Sequence, residues 1–341
     1  MNPVYLLALL LGVFLGPATA IVGEATLRAL APVAALGVGW IGAAFGARLQ
    51  WRVVRRIPAP WWRVGAVHAG AAFLMVGAAV VILALAIPDL RATWRPLSSV
   101  ALVLAAVAAL SGPGAGARSA MLATAFGAIA FEVALALQRP TGLFLDVGGG
   151  ILIGILFRGL ARLSDQLHPG TMLVGVVLFG AGVGYGAGLS PFVVCAVAAA
   201  VIVNLVPERR RLVAQHLEAW QPTISCVVLV LAGAWLGLPT LWILPAAVAL
   251  VAVRIAARWV VGRYGRRLLG PATPAHDPRL ARVVPGAVAL ALGLSFLLAR
   301  TPRGPGGAAT AVLTMVVVGV VLTRAWHARR LTSSPVPAEV S

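Results

Sequence analysis

The sequence predicts an all-α, polytopic membrane protein, and three observations support this fold class. Hydrophobic residues make up 61% of the 341-residue chain and charged residues only 11%. The mean hydropathy is +0.99, and apolar runs of about 20 residues, the length of a membrane-spanning helix, recur along the chain. Because the hydrocarbon core lacks water, each span must satisfy its own backbone hydrogen bonds, and continuous runs favour helices over the alternating pattern of a β-barrel. These features exclude a soluble globular domain.

Twelve transmembrane helices are predicted. In chain order they cover approximately residues 3–22, 29–50, 64–87, 97–112, 118–138, 143–162, 171–188, 190–206, 223–238, 239–262, 282–299 and 306–325. The first resembles a signal peptide, because Ala18, Thr19 and Ala20 resemble a cleavage site. The residues before it include no basic region, however, and the apolar run continues past this site, so we expect the helix to be retained.

A single membrane domain is predicted for residues 1–326, followed by a short cytoplasmic tail at 327–341. The tail is polar and contains proline, so it is predicted to be disordered. The sequence has no nucleotide-binding loop and no Ser/His/Asp arrangement, and it predicts neither an enzymatic activity nor a bound cofactor. Cys195 and Cys226 lie in apolar runs without a CxxC spacing, so they indicate neither a metal site nor a disulfide framework.

The distribution of arginine predicts the orientation in the membrane, because short cytoplasmic loops are enriched in this residue. All 27 basic residues are arginines. With the N-terminus inside, twenty lie in cytoplasmic segments: Arg48, Arg52, Arg55, Arg56, Arg63, Arg118, Arg158, Arg162, Arg209, Arg210, Arg211, Arg258, Arg263, Arg266, Arg267, Arg279, Arg282, Arg324, Arg329 and Arg330. Six lie in external segments: Arg28, Arg91, Arg95, Arg139, Arg300 and Arg303. The remaining arginine, Arg254, lies within the tenth span. Both termini are therefore predicted to be cytoplasmic. Because the arginines follow the loops and form no patch, the net charge of +18 does not indicate nucleic-acid binding.

One acidic residue, Glu132, lies inside the apolar run GAIAFEVALAL at residues 127–137. A charge at the centre of a membrane costs roughly 2.5–3.5 kcal/mol on insertion scales, so it needs a partner, a water-filled cavity or a bound proton. We interpret Glu132 as a functional residue that binds and releases protons. The alternative is a structural acid that pairs with an arginine of another span.

Three segments resemble the membrane domain of the monovalent cation:proton antiporters. The first, residues 188–238, starts with GLSPFVV, contains a span that ends in VNLVPERRR and continues to a second span that ends near a glycine. The second combines GVFLGPATAI at 12–21 with ALGVGWIGAAFGARLQWRVVRR at 35–56. The third is LARVVPGAVALALGL at 280–294, which is similar to the family's eleventh helix. Together the similarity covers nearly the whole chain.

The resemblance implies a fold in which the fourth and eleventh helices are broken and cross near the centre of the membrane. Their ends then leave free carbonyl groups facing an ion. In this family the fifth helix carries an acidic pair, and a basic residue on the tenth helix lies nearby. By position, Phe131 and Glu132 match the acidic pair, and Arg254 matches the basic residue. The break in the fourth helix matches Ser111, Gly112 and Pro113.

Several of these assignments have alternatives. The Ser-Gly-Pro segment of the fourth span could simply end a helix. Arg254 is predicted to be the electrostatic partner of Glu132, or else a residue that snorkels to the cytoplasmic interface. Asp146 is predicted to be an interfacial acid at the outer end of the sixth span, with a role in the site as the alternative. His68, near the inner end of the third span, is interpreted as a packed or solvated imidazole, with a pH sensor as the alternative.

The chain also departs from the family pattern. Phe131 removes the polar partner of the acid, glutamate replaces aspartate, and about ten residues are missing between the break and the acidic pair. These departures argue against a complete cation site of the family type.

The function predicted from these features is exchange of H⁺ for Na⁺ or K⁺ by alternating access at a midplane site in the cell's inner (plasma) membrane. Glu132 would bind the proton and the cation in turn. The resemblance also implies a homodimer, because family members are often dimers. Two alternatives stay open: a transport-inactive homologue that acts as a membrane scaffold or assembly partner, and a carrier for an organic substrate with a more apolar cavity.

Overall fold

The computed structural model describes residues 3–19, 21–110, 117–136, 142–163, 169–206, 210–269, 286–299 and 307–332. Within these ranges the regular structure is helical and forms fourteen α-helices: α1 (Pro3–Val13), α2 (Glu24–Gly46), α3 (Trp51–Val54), α4 (Ala59–Ala86), α5 (Pro88–Thr93), α6 (Leu97–Ala109), α7 (Ala117–Ala136), α8 (Gly142–Leu163), α9 (Pro169–Gly186), α10 (Pro191–Leu205), α11 (Arg210–Ala234), α12 (Ile243–Leu269), α13 (Ala287–Leu298) and α14 (Gly307–Thr332). Helix α1 continues as a π-helical turn at Phe14–Ala18. The predicted all-α class is confirmed.

Twelve of these helices correspond to the predicted spans, while α3 and α5 are short connecting helices. Six helices in the described part of the chain, namely α2, α4, α8, α11, α12 and α14, are long and apolar enough to cross a membrane by length and composition. The other six are shorter apolar helices. Helix α14 extends to Thr332, so the chain remains helical through the first residues of the segment that the sequence predicts to be a disordered tail.

The turn between α9 and α10 determines where α10 begins. Gly188 has a φ of 68°, a left-handed conformation that glycine adopts without steric cost. Ser190 is the N-cap of α10 and Pro191 its first residue, a position where the missing N–H of proline breaks no helical hydrogen bond. The backbone N–H of Ser190 therefore lies at the positive end of α10, where an anionic side chain is stabilised.

Helices α2 and α10 pack with their backbones in close contact. A Cβ atom at Gly42 would overlap the carbonyl group of Phe192, and one at Gly46 would overlap that of Ala196. At the far end of α10, the Asn204 side-chain oxygen accepts a hydrogen bond of 2.7 Å from the backbone N–H of Trp51. Its amide nitrogen donates a bond of 3.0 Å to the carbonyl of Leu49. Glycine contacts along the helices and Asn204 at their end thus join α10 to α2 and to the turn after it.

The helices pack as two groups with one helix shared between them. In the first group, α10 packs against α2, α8 and α9, and α11 packs against α1 and α2. In the second, α4 packs against α6, α7 and α12, and α14 packs against α12 and α6. Helix α13 contacts α2 in the first group and α14 in the second. We call these the α10 group and the α4 group; consecutive helices α7 and α8 belong to different groups.

Helices α6 and α13 are short and deeply buried. They have 13 and 12 residues, which at 1.5 Å per residue gives lengths of about 20 and 18 Å, well below the roughly 30 Å of a bilayer core. They contact each other. The family resemblance implies that the helices of the fourth and eleventh spans are broken and meet in the interior. The short, buried helices α6 and α13 agree with this expectation.

Candidate functional site

Among the described residues, two clusters of charged side chains are buried. The first, the carboxyl cluster, consists of Glu132, Asp146 and Ser190. Glu132 lies four residues before the end of α7, Asp146 lies four residues after the start of α8, and Ser190 precedes α10. Only 5%, 4% and 3% of their respective surfaces are exposed. The short connection between α7 and α8 brings the two carboxyl groups together against the start of α10.

The contacts of the carboxyl cluster leave several polar atoms unsatisfied. The backbone N–H of Ser190 donates a hydrogen bond of 2.8 Å to Oδ1 of Asp146. The Glu132 carboxyl faces the Asp146 carboxyl and lies next to Ser190. Among the described residues, however, neither carboxyl oxygen of Glu132 nor Oγ of Ser190 has a hydrogen-bond partner of regular geometry. Several oxygen atoms therefore lie close together in the interior, and some of them lack a hydrogen-bond partner.

This arrangement is suited to holding one positive charge. Two facing carboxylates repel each other strongly where water is excluded, so one proton or one cation between them stabilises the pair. The positive end of α10 stabilises Asp146 as the anion. Of the two carboxyl groups, Glu132 is therefore the one whose charge a bound proton or cation would neutralise.

The second cluster, the arginine cluster, consists of Arg254 and Arg258 on α12 and His68 on α4. The Nε of Arg254 donates to the carbonyl of Ala108 at 3.0 Å, and its Nη2 donates to the carbonyl of Leu110 at 2.9 Å. The Nη2 of Arg258 also donates to Leu110, at 2.5 Å. The last carbonyl groups of a helix have no partner within it, so these two guanidinium groups complete the C-terminal end of α6.

His68 lies beside this end of α6. Its imidazole interacts electrostatically with Arg258, and the next residue, Ala69, packs against Ala109 at the end of α6. A cavity of about 60 Å³, which Arg254 helps to line, lies between α4, α6, α12 and α14. Its walls are mostly apolar, with Arg254 and Thr323 as the polar exceptions.

No protein-family model matches the chain, and no curated protein matches it. Among solved structures, it is similar to the sodium proton antiporter MjNhaP1 from Methanocaldococcus jannaschii, determined at pH 8. The TM-score is 0.68 at 16% sequence identity, and the match covers 95% of this chain and 92% of that one. The chain has the fold of a sodium/proton antiporter. The predicted fold class is thereby confirmed.

Within this antiporter fold, the predicted acid is buried in the second half of the described part of α7. Four residues separate Glu132 from the last described residue of this helix, a distance of about 6 Å along the axis. The position on α7 that faces the end of α6 is Gly127, which lies against Leu110 and the carbonyl of Ala106. Phe131 is fully buried and belongs to the main apolar core.

Three expectations about individual residues need correction. Asp146 is buried beside Glu132 instead of lying at the interface. Arg254 is 6% exposed and lies near the middle of α12, because this helix continues to Leu269, so it does not snorkel. Arg258, which the sequence places in a cytoplasmic segment, is 2% exposed in the interior.

The structure groups the remaining predicted residues differently from the sequence. The described contacts join Glu132 to Asp146 and Arg254 to the end of α6, so these two predicted partners lie in different clusters. The predicted break at Ser111, Gly112 and Pro113 lies outside the described residues and directly follows Leu110.

Sequence reasoning missed Ser190 and Arg258 as site residues. A signal existed for each: Ser190 precedes a proline in the GLSP segment, which marks a helix start, and Arg258 follows Arg254 by one helical turn, which places both on the same face of α12.

Proposed function

We propose that this protein is a secondary transporter that exchanges protons for a monovalent cation, Na⁺ or K⁺, across the cell's inner (plasma) membrane. The observation that carries this proposal is the buried carboxyl cluster within an antiporter fold. An ionised carboxyl pair sealed from water is costly in membrane interiors, so its retention suggests that the pair is regularly neutralised by a transported ion.

Glu132 and Asp146 together act as the exchange site. When the pair holds a proton, its charge is too low to retain a cation stripped of water. When the proton leaves, the second negative charge and the unsatisfied oxygen atoms of Glu132 and Ser190 provide ligands for a hard cation. One site that holds either ion, but not both, couples the two fluxes under alternating access.

The helix break has a supporting role in this proposal. In antiporter folds, half-helix ends with free carbonyl groups face the ion. Here the guanidinium groups of Arg254 and Arg258 occupy the carbonyl groups at the end of α6. We assign Arg254 as a positioning residue that holds α6, and through it the packed helix α7, in place. The sequence prediction of a break at Ser111, Gly112 and Pro113, which lie outside the described residues, is part of this proposal.

The decisive experiment measures sodium- or potassium-driven proton movement in proteoliposomes under an imposed pH gradient. Glu132→Gln keeps the side-chain volume but can neither ionise nor neutralise a cation, so it should abolish coupled exchange in a folded protein. Glu132→Asp should retain partial activity with altered apparent cation affinity. The matched control is Glu218→Gln, which makes the same chemical change at an exposed position of α11 and should leave exchange unchanged. Exchange that persists in a well-folded Glu132→Gln variant would exclude Glu132 as the carrier.

One observation favours a second candidate, a transport-inactive homologue that serves as a scaffold or assembly partner. The α6 carbonyl groups, which face a transported ion in other antiporter folds, are bound here by two resident guanidinium groups. Wild-type protein that catalyses no exchange with either cation, while remaining folded, would favour this candidate over the transporter.

The proposed orientation places both termini in the cytoplasm. With Arg258 in the interior, nineteen cytoplasmic arginines stand against six external ones. Reporter domains fused after Arg56, Arg211 and Ser341 should therefore be cytoplasmic, and one inserted between Thr301 and Gly307 should be external. An external reporter at the C-terminus would mean that the number of spans is wrong. The homodimer implied by the resemblance is testable by cross-linking in membranes.

A further inference from the structure

The segment that joins α2 to α4 carries a dense positive charge. Both helices are long and apolar enough to cross a membrane, so the connecting residues 47–58 lie at one membrane surface. The sequence has no acidic residue between positions 25 and 88. In the part of the chain that the structure describes, the arginines of this segment form no ion pair. Four of them are exposed: Arg48, Arg52, Arg55 and Arg56.

The short helix α3 arranges most of these charges on one face. The N–H of Arg55 donates to the carbonyl of Trp51 at 2.9 Å, and that of Ile57 donates to Val54 at 3.2 Å, so the helical turns continue past α3. Ile57 is 6% exposed, whereas Trp51 is 60% exposed, so the side of the turn with Ile57 packs against the protein. At about 3.6 residues per turn, the outward face carries four side chains: Trp51, Arg52, Arg55 and Arg56. We call it the α3 face.

Two further features suit the α3 face to a phosphate group at a membrane surface. The guanidinium group of Arg55 lies 5.8 Å from the centre of the Trp51 ring, a cation–π contact, and tryptophan rings prefer the depth of the lipid headgroups. Helix α4 begins at Ala59 with no acidic residue in its first turn and no side-chain cap, so its positive end adds to the local potential. Guanidinium groups bind phosphate oxygens through paired N–H donors.

We propose that the α3 face binds the headgroup of an anionic phospholipid. The guanidinium groups donate to the lipid phosphate, and the Trp51 ring packs against the glycerol and the upper part of the acyl chains. A lipid fits this surface better than a free phosphate ion, because only the lipid has an apolar part for Trp51 to contact. A zwitterionic lipid binds less tightly, because its amine offsets the charge of its phosphate.

The side chain of Asn204 connects the α3 face to the helix bundle. Its oxygen accepts the hydrogen bond from the N–H of Trp51, and its nitrogen donates to the carbonyl of Leu49. The segment that carries the α3 face is thereby joined to the end of α10. A lipid bound to this face therefore binds the folded state and raises its stability.

The test is the lipid dependence of thermal stability in detergent. Purified full-length protein is titrated at constant ionic strength with phosphatidylglycerol, with phosphatidylcholine, or with glycerol phosphate, which has the phosphate but no acyl chains. The wild type should show a saturable rise in melting temperature with phosphatidylglycerol that exceeds the rise with the other two. Combining Arg52→Gln, Arg55→Gln and Arg56→Gln should weaken the apparent affinity for phosphatidylglycerol by about tenfold or more, because each basic residue near the headgroups contributes to binding.

The matched control combines Arg28→Gln, Arg91→Gln and Arg95→Gln. It removes three exposed arginines near the opposite ends of α2 and α4, and it should keep the response of the wild type. Equal responses to phosphatidylglycerol and phosphatidylcholine, or to phosphatidylglycerol and glycerol phosphate, would overturn the proposal. An equal loss of affinity in the two triple variants would overturn it as well, because the net charge and not the α3 face would then attract the lipid.

A second measurement uses only the wild-type protein. It is reconstituted into vesicles that contain phosphatidylglycerol with a photoreactive group on the headgroup, and the crosslinked peptides are identified after illumination. Crosslinks should map to residues 47–58. Crosslinks confined to other segments would contradict the proposal. Neither measurement depends on whether the protein transports ions.

Discussion

The carboxyl cluster and the arginine cluster are both charged and buried, but the guanidinium groups of Arg254 and Arg258 bind the backbone, whereas the carboxyl group of Glu132 does not. The guanidinium groups bind the carbonyl groups that end α6, so they complete the backbone hydrogen bonding of the fold. The carboxyl oxygens of Glu132 have no regular partner among the described residues. Side chains that satisfy backbone hydrogen-bonding groups are expected to stabilise a fold. Buried polar groups without hydrogen-bond partners are expected to serve another purpose. Substitutions in the arginine cluster should therefore mainly reduce stability, whereas substitution of Glu132 should mainly reduce transport.

The largest effect on stability is expected for Arg254→Ala. This change removes the shorter bond to the carbonyl of Ala108, which keeps only a bond of 3.4 Å from Arg258, and it removes one of the two donors to Leu110. We expect a loss of about 2–4 kcal/mol in the free energy of unfolding. Unfolding in mixed detergent micelles measures it. Arg63→Ala, at an exposed site, should change stability by no more than about 0.5 kcal/mol. Equal effects of the two substitutions would show that the α6 contacts do not stabilise the fold.

A smaller loss is expected for Arg254→Lys, about 1–2 kcal/mol in the same assay. Lysine keeps the positive charge but lacks the planar fork with which Arg254 bonds two carbonyl groups two residues apart. The difference between the two variants separates the contribution of charge from that of geometry. A lysine variant as stable as the wild type would show that charge alone matters at this position.

The smallest effect concerns the coupling between Glu132 and Asp146. Glu132→Gln should not reduce stability, because it removes a buried charge, while Asp146→Asn weakens the bond from the Ser190 backbone. A double-mutant cycle of these two substitutions should give a coupling of about 1 kcal/mol. Additive effects would mean that the two carboxyl groups do not interact, and the exchange site would then contain Glu132 alone.

The fold was predictable from the sequence because the length of an apolar run translates directly into a helix. Each of the twelve predicted spans contains a helix, and the short α6 ends next to the Ser-Gly-Pro segment that predicts its break. The limits of α12 were harder to predict: its last three turns contain arginine, tryptophan and tyrosine, which are typical of an interface. Because the helix continues to Leu269, Arg254 lies deeper than the sequence suggests.

The partners of the site residues could not be predicted from the sequence, because they depend on how distant helices pack. Nothing in the local sequence of Asp146 distinguishes an acid at the interface from one that is buried against the start of α10. Similarly, a family pattern that pairs an acid on the fifth helix with a base on the tenth suggested Arg254 as the partner of Glu132. This chain departs from the family pattern in α7. Gly127 occupies the position that faces the end of α6, and Glu132 lies more than one helical turn further along.

The assignment of α7 and α8 to different helix groups has a mechanical consequence. Glu132 belongs to the α4 group, while Asp146 and Ser190 belong to the α10 group, in which glycine contacts join α2 to α10. Under the proposed exchange function, a proton shared by the two carboxyl groups would hold one group against the other. Loss of this proton would leave two negative charges on opposite sides of the boundary, and their repulsion would favour separation of the groups until a cation binds. Ion binding and movement of the two groups would then be coupled.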